Sequence, residues 1–108
     1  MATIAVRLSR GNIIVPYRTL VHLGEEVRWT FEGDLPGDSR VEVYFDNPSV
    51  LPSPLSRPLP GRGGGGRAQA VAVQFVASVL GDHKYGVRIV DRSGRTVGDE
   101  DPYLLVVP

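Results

Sequence analysis

The chain contains no cysteine. That excludes disulfides, thiolate nucleophiles and zinc–thiolate sites from its chemistry, and it leaves the redox compartment open. Histidine is almost as scarce, with only His22 and His83. A metal site would need both to converge with carboxylates such as Asp38 or Asp82, and two histidines without a third obvious ligand read instead as a strand residue and a turn residue. A charge excess of either sign is also missing: 12 basic side chains stand against 12 acidic ones. There is thus no field to draw in nucleic acid or anionic lipid, and neither is expected as a partner. Lys84 is the only lysine, a compositional bias to which no function attaches. Long apolar runs are absent too, since even Gln69 to Leu80 is interrupted by Gln74 and Ser78. The first residues alternate and lack a basic segment followed by a continuous apolar one. The expectation is a soluble, cytoplasmic protein without a signal peptide, with secretion left open.

What the chain does have is period two. With 108 residues, it is long enough for one domain with a core of its own, and residues 1–108 are read as a single β-sandwich domain. Ile4, Val6 and Leu8 share one face of a first strand, with Thr3 and Arg7 opposite. Arg10-Gly11-Asn12 turns the chain, and Ile13 to Val15 is a short run stopped by Pro16. Arg18 to Leu23 reads as a further strand. Gly24-Glu25 turns into the most regular stretch, where Val27, Trp29 and Phe31 face one way and Glu26, Arg28 and Thr30 the other. A buried tryptophan is worth on the order of 4–6 kcal/mol at about 25 cal/mol per Å², as an upper bound, so Trp29 is the expected core anchor.

Glu32 to Asp38 is dense in turn formers, and Val41, Val43 and Phe45 then alternate with Glu42 and Tyr44. Residues 47–67 carry no strand pattern and read as one Pro/Gly-rich loop. Ala68 to Leu80 reads as the longest strand. Gly81-Asp82 reads as a turn, Lys84 to Asp91 as a strand with Tyr85, Val87 and Ile89 on one face, and Asp91 to Arg95 as a hairpin turn. Asp99 to Pro102 reads as another turn before a last strand, Tyr103 to Val107. The fold class expected is all-β, a Greek-key β-sandwich of seven or eight strands, cupredoxin-like or immunoglobulin-like.

The order of these features carries a family resemblance. An alternating N-terminal strand, the Pro16 segment, Gly24 through Trp29, Tyr85-Gly86-Val87-Arg88-Ile89-Val90-Asp91 with Ser93-Gly94, and a closing strand after Asp101-Pro102 together resemble the cupredoxin-like β-sandwich family. The resemblance implies a histidine shortly after the tryptophan strand and a C-terminal cysteine, histidine and often methionine in members that hold copper. Here Arg40 lies near the first position and there is no cysteine, so the implied reading is a cupredoxin-like sandwich without its copper ligands. By comparison with other sandwiches, Tyr85 resembles the corner tyrosine whose hydroxyl bonds to backbone.

Other motifs carry no chemistry. Gly61-Arg62-Gly63-Gly64-Gly65-Gly66 spells G-x-G-x-x-G, but prolines precede it and a strand follows, whereas a pyrophosphate needs a strand before and a helix N-terminus after. Arg62-Gly63-Gly64 is a single triplet without repeats. No two of Pro48, Pro52, Pro54, Pro58 and Pro60 are three apart, so the P-x-x-P spacing is missing. Asp99, Glu100 and Asp101 lack the spaced oxygens of a calcium loop. No serine sits in a nucleophile elbow, and Glu25 and Glu26 point to opposite faces. The sequence therefore offers no catalytic, cofactor or metal residues. Surface recognition remains: Tyr17, Tyr44 and Tyr103 with Arg57, Arg62 and Arg67 form the candidate interaction surface, for a protein partner or for a homodimer through a sheet edge or face. The alternatives are a carbohydrate- or small-ligand-binding sandwich using the tyrosines, or a metal-binding protein with an unconventional site.

Overall fold

The computed structural model describes residues 1–59 and 71–108, and these are all β. In chain order the strands are β1 (Ala2–Ser9), β2 (Asn12–Ile14), β3 (Arg18–His22), β4 (Glu26–Gly33), β5 (Arg40–Phe45), β6 (Leu55–Pro58), β7 (Val71–Val76), β8 (Gly81–Val90), β9 (Thr96–Glu100) and β10 (Tyr103–Val107). One sheet has the order β2-β1-β4-β7 and the other β3-β10-β8-β5-β6, with β9 also paired to β8. This is the Greek-key sandwich that the alternation predicts, with ten strands among the described residues where seven or eight were expected.

The inner faces are the predicted ones. Val27, Trp29 and Phe31 of β4 meet Val41 and Val43 of β5 and Tyr85, Val87 and Ile89 of β8, and each of these is at most 1% exposed. Ile4, Val6 and Leu8 of β1 and Leu104 and Val106 of β10 complete the core. Trp29 is its centre: Phe45, Phe75 and Tyr85 lie around it with ring centroids 5.4–6.2 Å away, in edge-on and tilted arrangements that suit ring quadrupoles.

Four local expectations are corrected. The 47–67 loop contains a strand, because β6 pairs antiparallel with β5 from Leu55↔Val43 to Pro58↔Arg40. An edge position tolerates the flanking prolines that hide it in the sequence. Val50 and Leu59 in the same stretch are buried, so the segment closes part of the core. The Ala68–Leu80 strand is Val71–Val76 among the described residues, and β8, not this strand, is the longest. Gly81-Asp82 belongs to β8 because the antiparallel partner β10 reaches down to Gly81↔Val106. Asp99 and Glu100 close β9 opposite Arg88 and Val87; their acidic side chains suggested a turn, but an outer strand keeps them solvated. Pro60, the glycine run, Arg62, Arg67 and residues 68–70 lie outside the described residues.

Among the described residues two pairings are parallel. β1 runs alongside β4 from Ala2↔Val27 to Leu8↔Gly33, and β3 runs alongside β10 from Arg18↔Tyr103 to His22↔Val107. At the end of the first pair Gly33 has φ 95°, and a methyl there would overlap the Leu8 carbonyl, which accepts from Asp34 N at 2.8 Å. Only glycine permits that approach.

Candidate functional site

The end of the sandwich near Arg40 is where the family resemblance directs attention. A cleft of about 400 Å³ opens there, lined by Asp38, Ser39, Arg40, Asp91 and Arg92 with apolar walls from Leu59 and Val90. Its polar groups are carboxylates, guanidinia and a hydroxyl. Asp91 is committed to its own turn, its Oδ1 accepting from Ser93 Oγ (2.6 Å), Ser93 N (3.0 Å) and Arg95 N (3.0 Å). These bonds, that from the Ser93 side chain first, hold its carboxyl below the usual range. Arg92 Nη1 lies 3.8 Å from Asp38 Oδ2, and Arg40 Nε donates to Ser56 Oγ at 2.9 Å. A copper ion that cycles between the soft cuprous and borderline cupric states wants thiolate and imidazole. Neither lines this cleft, and the residues present do not fit copper.

The two histidines do not converge elsewhere. His22 aligns with Val107 on the outer face, His83 with inward-facing Leu104, and β10 lies between their strands, which places them roughly 9–10 Å apart across the sheet alone. His22 faces Glu25 at 3.9 Å, and a ring nitrogen of His83 lies 2.9 Å from the Val79 carbonyl oxygen. Among the described residues no three histidine or acidic side chains gather as a metal site would require.

The candidate interaction residues separate into three places. Tyr17 precedes β3 and is 68% exposed; its ring lies 5.4 Å from that of Tyr103 on β10. Arg18 sits beside both rings, at 5.9 and 5.3 Å, and donates from Nη2 to Asp82 Oδ2 at 2.8 Å. Leu20 on the same strand is 57% exposed. The sheet register thus brings Tyr17, Tyr103, Leu20 and Leu105 to one outer corner.

Tyr44 lies on the same outer sheet face but farther along, on β5. Its ring covers Gly86, where a Cβ would collide with it, and its hydroxyl donates to Asp99 Oδ1 at 3.2 Å. Arg88 lies over the ring at 4.6 Å and donates from Nε to Glu42 Oε1 at 2.6 Å. Burial, then Asp99, raises the Tyr44 hydroxyl, and the bond to Glu42 raises the Arg88 guanidinium. Arg57, the third place, reaches from β6 to the other sheet and donates to the Ala72 carbonyl at 3.2 Å, covering part of the β7 edge. Arg62 and Arg67 lie outside the described residues.

Tyr85 differs from the corner arrangement. Its hydroxyl accepts from Trp29 Nε1 at 3.1 Å instead of donating to backbone. Burial pushes it up to about 12, against a smaller lowering from the Trp29 bond. Sequence reasoning missed Arg18–Asp82 and Arg88–Glu42. The first was hidden by reading Asp82 as a turn. The second had no local signal; Gly86 inside the strand pointed only to a close neighbour, which is the Tyr44 ring.

No family model and no curated protein matches this chain in sequence. Solved structures do match in shape. The copper protein auracyanin A of Chloroflexus aurantiacus superposes with a TM-score of 0.58 at 13% identity, covering 97% of this chain and 98% of its own. The fold is cupredoxin-like. A purple cupredoxin from Nitrosopumilus maritimus agrees, with TM-score 0.56, 13% identity and coverage of 98% and 99%. Auracyanin from Roseiflexus castenholzii gives 0.52 and 12%, covering 100% and 98%. The cupredoxin-like chain shares the architecture of these proteins and has no cysteine with which to build a thiolate copper site.

Proposed function

We propose that this cupredoxin-like chain is a non-catalytic, metal-free module that acts by protein contact, with another protein or with itself. The observation that carries the reading is the outer corner formed by Tyr17, Leu20, Tyr103 and Leu105. There two large side chains stand mostly in solvent beside an arginine already paired to Asp82. Aromatic and arginine side chains around an apolar centre are the composition of protein contact surfaces. The absence of cysteine supports the metal-free part. Affinity purification with the intact protein and with a Tyr17→Ala, Leu20→Ala variant tests this reading, alongside sedimentation of both. A specific partner or oligomer that the variant loses is the expected result. A monomer whose captured proteins are the same with both would sink it.

A second reading, binding of a carbohydrate or other small polar ligand, is favoured by one feature. Tyr17 edges a cavity of about 160 Å³ that also includes Glu100 and Asp101, an aromatic face beside carboxylates. Glycan-array binding lost on Tyr17→Ala would support it, and an empty array would remove it. Tyr44 is unsuited to that role, since its ring and hydroxyl are engaged by Arg88 and Asp99.

A further inference from the structure

Among the described residues β3 is an edge strand whose only partner is β10. In a strand the N–H and C=O of one residue point to the same side, and successive residues alternate. Tyr103 N donates to Tyr17 O at 2.7 Å, and Leu23 N donates to Val107 O at 2.8 Å. Tyr17, Thr19, Val21 and Leu23 therefore turn their backbone groups toward β10, and Arg18, Leu20 and His22 turn theirs outward. His22 is already used: its N–H donates to Glu25 Oε1 at 2.9 Å and its C=O accepts from Glu25 N at 2.9 Å. Arg18 and Leu20 remain. Among the described residues their N–H and C=O groups have no hydrogen-bond partner, and the strand between them and Pro16 carries no bulge or lysine to blunt the edge.

Building on the contact reading above, we propose that this edge pairs with β3 of a second copy, antiparallel about a twofold axis at Thr19. In that register Arg18 lies opposite Leu20 of the second copy and Leu20 opposite its Arg18. The two residues' donors and acceptors then satisfy one another in four backbone hydrogen bonds, two for each pair. The register also stops itself. The next position outward sets Pro16, which has no N–H, against His22, whose groups Glu25 already holds.

Side chains agree with it. Thr19 meets Thr19 on the inner side, a favourable cross-strand pair. On the outer side the aliphatic stem of each Arg18 lies along an exposed Leu20. The two Arg18 guanidinia fall on a diagonal, and each is already neutralised by its own Asp82 at 2.8 Å, so opposite charges alternate across the axis. The pairing joins two six-stranded sheets into one continuous sheet. A single five-residue strand buries less than the roughly 1,200 Å² of a stable interface, so the dimer is weak and concentration-dependent.

The test is sedimentation equilibrium of the full chain from about 10 μM to about 1 mM, combined with amide hydrogen exchange at both limits. The expected result is a monomer–dimer equilibrium. In it the Arg18 and Leu20 amides gain protection with concentration, while those of Thr19, Val21 and His22 do not change. Leu20 is exposed and tolerates charge, which gives a sign test. Leu20→Lys sets like charges directly opposite each other and Leu20→Glu sets a carboxylate opposite Arg18. The lysine variant should therefore associate at least about tenfold more weakly than the glutamate variant. A dimer that persists equally in both variants overturns the β3 pairing and leaves the contact reading intact. A wild-type chain that stays monomeric at about 1 mM also overturns it, and contact would then have to be with a different protein.

Discussion

At the scale of single residues the decisive bond joins Trp29 to Tyr85, from sheet to sheet through the core. Both side chains are at most 1% exposed, so each polar atom depends on the other. Tyr85→Phe leaves the indole N–H buried without an acceptor and should cost roughly 1–3 kcal/mol in chemical denaturation. The same pair sets an alkaline limit. The Tyr85 hydroxyl is raised from 10.0 to about 12, so between those values the unfolded chain loses this proton and the folded one keeps it. Stability is whole below pH about 10 and falls as pH rises through about 12, by roughly 2–3 kcal/mol from this group. The difference in unfolding free energy between wild type and Tyr85→Phe, followed from pH 9 to 12, should shrink accordingly. A difference that stays flat would show that the hydroxyl is not held neutral.

Ser39 presents the opposite case. It is 3% exposed and its hydroxyl has no hydrogen-bond partner among the described residues. Burying such a group is unfavourable, so Ser39→Ala should be neutral or raise stability by up to about 1–2 kcal/mol, read from the denaturation midpoint. A loss of more than that would reveal a hydrogen bond at this position.

At the scale of elements, the pairing of β5 with β8 is tied on its outer face by Tyr44 lying over Gly86. Gly86→Ala should drive the ring off and break its links to Asp99 and Arg88, costing roughly 1–3 kcal/mol. Tyr44→Ala made in the same chain should restore part of the loss, since the space for the methyl is then free. Equal and additive losses in the double variant would mean that the ring and the glycine are not coupled.

The strands that could be read from the sequence share a property. In β1, β4, β5 and the upper part of β8 the buried positions Ile4, Val6, Leu8, Val27, Trp29, Phe31, Val41, Val43, Phe45, Tyr85, Val87 and Ile89 are large and apolar and most residues between them are polar, so period alone sets register and face. β6 was hidden because Pro54 precedes it, Pro58 ends it, and Leu55 is its one apolar residue on the inward side, beside Arg57. β9 was hidden because both faces are partly solvated. No local pattern encodes which strand lies beside which, so the parallel partners of β1 and β3 were beyond reach. The surface divides the same way. Tyr17 and Tyr103 were visible as unspent aromatics, but the ion pairs of Arg18 and Arg88 depend on residues 64 and 46 positions away in sequence.

At the scale of the whole molecule, a cupredoxin-like architecture is built from a chain with no thiolate donor and with its two histidines apart. The only sulfur is Met1, 68% exposed at the chain terminus. Protein titrated with a cupric salt and desalted should therefore show no intense visible band and no stoichiometric copper by elemental analysis. One retained equivalent, lost on His22→Ala or His83→Ala, would establish an unconventional site.

The parallel pairing of β3 with β10 bears on how the protein is made. The ribosome finishes Arg18–His22 well before the strand that attaches it to the sheet, Tyr103–Val107, which follows roughly 80 residues later. At about 5–20 residues per second the wait is several seconds. During that time β3 has both edges bare, and a neighbouring nascent chain on the same messenger offers the same strand.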